Sequence, residues 1–144
     1  MVIRAANVAD VQEIAEFQTA CSRAAYRDLV PSSDLDRVSA EVRQARWRGR
    51  ISGGARRVAL GRVGEALVGV VSWGTCDEAD VPAPELMSLY VAADHQGTGV
   101  ASALLTHAIG HAPAHLWVFE NNPRAHAFSV ETAGTFDLDS ELDL

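Results

Sequence analysis

Two hydrophobic periods alternate along the chain, and the switches between them predict its elements. Val2 to Ala5 reads as a short first strand. Asn7, followed three residues later by Asp10, has the form of a helix cap with an acidic partner. Val11, Ile14, Phe17, Cys21 and Ala24 then recur at spacings of three and four. That helix buries one stripe, exposes Gln12, Glu13, Glu16 and Arg23, and ends near Tyr26 to Pro31. A second helix starts at Ser33, with Asp36 three residues on, and turns Leu35, Val38, Val42 and Ala45 inward. It closes in the arginine-rich run Arg43 to Arg50, read as a solvated face with Trp47 packed on the core.

After Ser52-Gly53-Gly54 the period falls to two, predicting a hairpin of Arg57 to Val63 and Ala66 to Trp73 joined by Gly64-Glu65. Gly74 to Pro84 is polar and holds two prolines, so it reads as a loop. Leu86, Leu89, Tyr90 and Val91 form an apolar strand. Asp94 to Gly99 then turn the chain into Val100, Ala101, Leu104, Leu105, Ala108 and Ile109, which share one helix face. His115 to Phe119 suggests another strand, and Asn122-Pro123 opens a last helix with cap and first-turn proline. Gly134, Phe136, Leu138 and Leu142 hint at one remaining strand. Strands alternating with helices predict an α/β fold, mixed rather than fully parallel because of the hairpin.

At 144 residues, the chain suits one domain over residues 1–144. Twelve basic against 19 acidic residues give a net charge of -7, which argues against a nucleic-acid surface. No apolar run approaches the roughly 20 residues of a membrane span, and no leader pattern opens the chain, so a cytoplasmic protein is expected. Cys21 and Cys76 lack metal or redox spacing and read as reduced structural residues. His107 and His111 lie four apart without a glutamate after the first or a third ligand, so no metal is expected.

The chemistry concentrates in strand, glycine loop and helix. The first amides of a helix lack partners within it and sit at its positive end. Two glycines let a phosphate approach those amides unobstructed. Gln96-Gly97-Thr98-Gly99-Val100-Ala101 therefore suits a pyrophosphate, although Gly97 and Gly99 could equally just turn the chain. Neither the GxxxxGK[ST] loop nor a dinucleotide GxGxxG unit occurs, which disfavours nucleotide hydrolysis.

A strand followed by [Q/R]-x-x-G-x-[G/A] at a helix start resembles the acetyl-CoA signature of the GNAT superfamily of N-acyltransferases, and residues 96–101 match it position for position. ELMSLYV before it and ENNPRAHAF after it are also similar to that family. The resemblance implies a mixed, mostly antiparallel central sheet flanked by helices, with splayed central strands. It implies acetyl-CoA as cosubstrate, held by Gln96, Gly97, Thr98, Gly99, Val100 and Ala101, by free strand amides at Leu89, Tyr90 and Val91, and by Asn122 and Arg124. Glu85 matches a family glutamate used as general base, and Tyr26, Arg27 and Asp28 fall where the family builds an acceptor wall. Helix capping would also explain Asn122, solvation Arg124, and a strand-end carboxylate Glu85.

One departure bears on turnover. Where the family often places a tyrosine that protonates the departing thiolate, seven residues after the asparagine, this chain has Ser129, a much weaker acid. Val130 to Leu144 also lacks the clear Gly-Phe turn and final two strands expected, leaving a sheet edge either exposed or covered by a partner chain, as in a homodimer. The expected function is transfer of acetyl from acetyl-CoA to a primary amine, small-molecule or peptide, by direct attack in a ternary complex. The alternative is a catalytically degenerate acyl-CoA-binding or protein-interaction module.

Overall fold

The computed structural model describes residues 1–26, 40–54, 56–76, 83–110 and 135–137. In chain order these form β1 (Val2–Ala5), a 3-10 turn (Val8–Asp10), α1 (Val11–Tyr26), α2 (Ala40–Gly53), β2 (Arg57–Val63), β3 (Ala66–Cys76), β4 (Ala83–Val91), a second 3-10 turn (Ala93–His95), α3 (Val100–Ile109) and β5 (Thr135–Asp137). The five strands make one sheet in sequence order, each antiparallel to its neighbour. Helices cover both faces, giving the mixed α/β architecture with an open antiparallel sheet.

The start of α1 is fixed as its sequence suggests. Asn7 Oδ1 accepts from the Ala9 amide at 2.9 Å and Asp10 Oδ2 accepts from the Asn7 amide at 2.9 Å, a reciprocal cap. Arg4 of β1 forks onto the same carboxylate at 2.9 and 2.8 Å, so strand and helix start share one ionic clasp.

The core has two halves, one on each sheet face. On one, Val100, Ala101, Leu104, Leu105 and Ile109 of α3 pack on Ala59, Val68, Val71, Leu89 and Val91. On the other, Val11, Ile14 and Cys21 of α1 and Trp47 of α2 pack on Val58, Leu60, Val70 and Tyr90. The alternation of Leu89 and Val91 with Tyr90 between the two clusters is the strand period expressed as packing.

The second helix departs from its predicted stripe. Val42 is 43% exposed and Ala45 is exposed, while Arg43 and Trp47 are buried. Trp47 buries a large aromatic surface completely, and Arg43 can follow it inward because it donates to Thr19 Oγ1 at 2.8 Å. Arg50 stacks 4.7 Å above the Trp47 ring, so the basic run is only partly a solvated face. The Ser33 start, with Leu35, Asp36 and Val38, lies outside the described residues.

The expected loop Gly74 to Pro84 is shorter than its polarity suggested. Gly74, Thr75 and Cys76 pair with Glu85, Pro84 and Ala83, extending both strands into one long hairpin. Its backbone bonds outweigh the weak strand propensity of glycine and proline. His115 to Phe119 and the Asn122-Pro123 helix lie outside the described residues, whereas the last strand hinted at around Phe136 is present as β5.

Candidate functional site

The end of β4 and the start of α3 form a continuous corner. Gly97 and Gly99 both adopt positive φ, at 77° and 90°, and Gly99 is the residue before the first turn of α3. A side chain there is strained, yet a Cβ on Gly99 would meet nothing within 4 Å. The space over the helix end is thus open, and glycine is required by backbone shape. No side chain caps α3. Its first intrahelical bond reaches back from the Ala103 amide to the Gly99 carbonyl at 3.0 Å, so the amides of Val100, Ala101 and Ser102 precede the ladder.

The loop before it is braced from within. The His95 amide donates to the Ala92 carbonyl at 2.9 Å, and both the amide and hydroxyl of Thr98 donate to the His95 carbonyl. His95 Nδ1 lies 3.0 Å from Asp94 Oδ1, and that hydrogen bond holds the Asp94 carboxyl below its usual range. Gln96, Gly97, Thr98 and Gly99 are exposed.

Helix position depends on Gly69 of β3. A Cβ there would lie 2.4 Å from Leu104 Cδ1 and 3.2 Å from Val100 Cγ1, so only glycine lets the first turns of α3 settle this deeply on the sheet.

The β4 backbone divides its groups between two sides. Ala92 donates to the Val68 carbonyl at 2.9 Å, which places Tyr90, opposite Val70, among the residues whose backbone bonds face β3. Leu89 and Val91 then face β5. Leu89 lies opposite Phe136 and Tyr90 opposite Thr135, the first described residue of β5. Of the three amides expected to be free, the alternation sends that of Tyr90 to β3, and β5 lies beside Leu89. One extra β4 residue, Met87, sits between the pairs Ser72–Ser88 and Trp73–Leu86 as a bulge that re-aims the strand next to this corner.

Behind β4 lies a buried polar seam. Gln18 Nε2 donates to the Tyr90 hydroxyl at 3.0 Å, while Gln18 Oε1 accepts from Trp47 Nε1 at 2.8 Å. The Trp47 and Tyr90 rings meet edge to face at 6.3 Å. Cys21 Sγ lies 3.7 Å from the Val91 carbonyl and donates to it, and burial pushes this thiol up to about 12, so it is a neutral donor rather than a nucleophile. Ser72 and Ser88, both fully buried, bond hydroxyl to hydroxyl across the hairpin. Sequence reasoning passed over Gln18, although its place four residues after Ile14 and three before Cys21 puts it on the buried stripe of α1.

Among the remaining predicted residues, Glu85 lies in β4 opposite Gly74, one residue from the Trp73–Leu86 pair. Tyr26 ends α1, which runs toward the same end of the sheet as the glycine loop. Arg27, Asp28, Asn122, Arg124 and Ser129 lie outside the described residues. No helix among the described residues is long and apolar enough to cross a membrane.

Comparison with known proteins adds three observations. The family model described as "Acetyltransferase (GNAT) family" matches residues 13–134. Curated proteins give no match. Solved structures share the fold at low identity. One is a predicted acetyltransferase with acetyl-CoA from Clostridium acetobutylicum, at 10% identity and TM-score 0.58, covering 80% of this chain and 75% of that one. Another is a ribosomal-protein-alanine N-acetyltransferase from Brucella melitensis biovar Abortus 2308, at 21% identity, TM-score 0.53 and coverage of 74% and 68%. A third is an aminoglycoside antibiotic 6'-N-acetyltransferase from Acinetobacter haemolyticus, at 16%, 0.55, 83% and 72%.

Proposed function

The chain belongs to the GNAT acetyltransferase family, and from that premise we propose that it transfers the acetyl group of acetyl-CoA to a primary amine by direct attack within a ternary complex. The observation that carries the reading is the corner at Gly97 and Gly99: an open, uncapped helix end whose glycine backbone leaves room for a pyrophosphate. Acetyl-CoA supplies a thioester whose sulfur is a good leaving group. The chain's part is to hold and polarise it. The amides of Val100, Ala101 and Ser102 take the phosphates, with Gln96 and Thr98 at the rim. The Val91 amide, on the edge of β4 that faces away from β3, is the donor for the developing oxyanion. Leu89 and Tyr90 support that geometry through the strand, and Asn122 and Arg124 add contacts to coenzyme A.

The amine must lose a proton before it attacks. Glu85 accepts it, directly or through a water, and Tyr26, Arg27 and Asp28 line the approach from the α1 end. The new C–N bond forms as the C–S bond breaks, and the thiolate leaves with a proton delivered by water or by the group at Ser129. Among the neighbours, one is named for a protein alanine and one for an aminoglycoside, both amines, which agrees with this acceptor class.

Calorimetric titration with acetyl-CoA tests the reading. Saturable binding that is abolished by replacing Gly97 and Gly99 with valine is expected. An absence of binding at millimolar ligand, or binding indifferent to both substitutions, removes it. Ser129 in place of the usual tyrosine favours a second reading, an acyl-CoA-binding module without turnover. Amine-dependent release of coenzyme A thiol separates the two.

A further inference from the structure

At the end of the sheet remote from the glycine loop, the two helical layers leave a cleft of about 420 Å³ between the last turn of α2, the start of β2, the end of β3 and the last turn of α3. Its size falls in the range of small-molecule sites, about 300–1,000 Å³. Apolar walls come from Ile51, Val58 and Trp73, and Arg56 and Arg57 supply its positive charge, with the His107 imidazole beside them. None of its described lining residues is acidic. In a chain with 19 acidic and only 12 lysine or arginine side chains, that sign is opposite to the protein's own.

The geometry selects further. His107 and Trp73 meet edge to face, with ring centroids 6.0 Å apart and planes at 87°, so the two rings together build one aromatic wall of the cleft. The Arg57 guanidinium makes no hydrogen bond or ion pair with another described residue, and Arg57 is exposed at the mouth. A planar fork beside an aromatic wall is the arrangement that recognises a carboxylate attached to a ring. We infer that this cleft is a second binding site, distinct from the acetyl-CoA corner, for a small aromatic carboxylate. Its carboxylate pairs with Arg57 and His107, and its ring lies against Trp73 and Ile51.

Benzoate is the probe, titrated calorimetrically against the intact chain, with benzamide as the neutral analogue of the same shape. The expected result is saturable benzoate binding with a dissociation constant of about 1 mM or tighter, about tenfold weaker for benzamide and for Arg57→Gln, since one charge-assisted bond has that worth. Ring-proton shifts of His107 in NMR spectra should move with benzoate and report the place of binding. The inference is overturned by failure to saturate near about 20 mM, by equal binding of benzamide, or by affinity unchanged in both Arg57→Gln and His107→Gln. The benzamide comparison needs no variant, and acetyl-CoA affinity measured on the same samples keeps this site's outcome separate from that of the glycine corner.

Discussion

The side-chain amide of Gln18 donates to the hydroxyl of Tyr90 at 3.0 Å, across 72 residues of sequence, and in doing so pins α1 to the central strand. Gln18 also accepts from Trp47, so a single buried amide satisfies partners on α2 and β4. Replacing it with alanine leaves the Trp47 indole N–H buried without that acceptor and removes the bond to Tyr90. A loss of about 2–4 kcal/mol in urea unfolding is expected for Gln18→Ala, with Tyr90→Phe costing about 1 kcal/mol. Equal effects of the two substitutions would show that the amide does not serve both partners.

Gly69 controls how closely α3 approaches the sheet. With Leu104 Cδ1 2.4 Å from the position of an added Cβ, Gly69→Ala should cost about 1–3 kcal/mol by overpacking. Because the displaced helix carries the amides proposed to bind the phosphates, acetyl-CoA affinity should fall as well, measured at a temperature where the variant is folded. A shortened neighbour, Leu104→Ala combined with Gly69→Ala, should recover part of the affinity; no recovery would count against a steric cause.

Cys21 should be inert. Burial raises its thiol from 9.0 to about 12, so the neutral form persists in the folded protein. The sign follows: the unfolded chain releases this proton near 9 while the folded chain holds it, so the associated stability is complete below pH 9 and is lost as pH rises toward 12. In a Cys76→Ser background, Ellman's reagent should react slowly with native protein at pH 8 and at once after urea unfolding. Rapid native reaction would contradict the buried bond to the Val91 carbonyl.

Asp10 predicts the opposite pH behaviour. The hydrogen bonds from Arg4, and secondarily that from the Asn7 amide, hold its carboxyl below the ordinary 3.8, against the opposing effect of burial. Its stabilisation is therefore present above pH 3.8 and lost as pH falls through the lowered native value. Asp10→Asn should be less stable than the parent at pH 7, with the gap closing as both are acidified from pH 3.8 through the lowered native value. Parallel acid unfolding curves for parent and variant would exclude this clasp.

Glu85 is tested by kinetics. Glu85→Gln should lower kcat/KM by about 10²-fold or more and flatten the acidic limb of the pH–rate profile, with acetyl-CoA affinity retained. A variant with the parent's rate and profile would pass the role of base to water.

The parts of the fold legible in the sequence are those whose pattern is local. The ends of β1, β2 and α3 coincide with the predicted ones because strand alternation or a helical stripe is bounded there by glycine or polar turns, and the glycine corner was recognisable from spacing alone. What escaped depends on partners distant in sequence. Cys76 and Ala83 join the hairpin only because they face each other. Arg43 turns inward because Thr19 is there to receive it. Gln18 reads as one more polar residue of α1 until Trp47 and Tyr90 are placed beside it. The cleft at Arg57 and Trp73 likewise gathers β1, α2, β2, β3 and α3, whose approach no single window of sequence contains.

The two bonds from α1 to the central strand, Gln18 to Tyr90 and Cys21 to the Val91 carbonyl, have a kinetic corollary. Each closes a loop of 72 or 70 residues, a larger entropic cost than that of the intervening β2–β3 hairpin. The strand end at Val91 is thus tied down by contacts whose closure costs more chain entropy than the hairpin's, and in refolding the capture of acetyl-CoA is expected to lag behind hairpin formation.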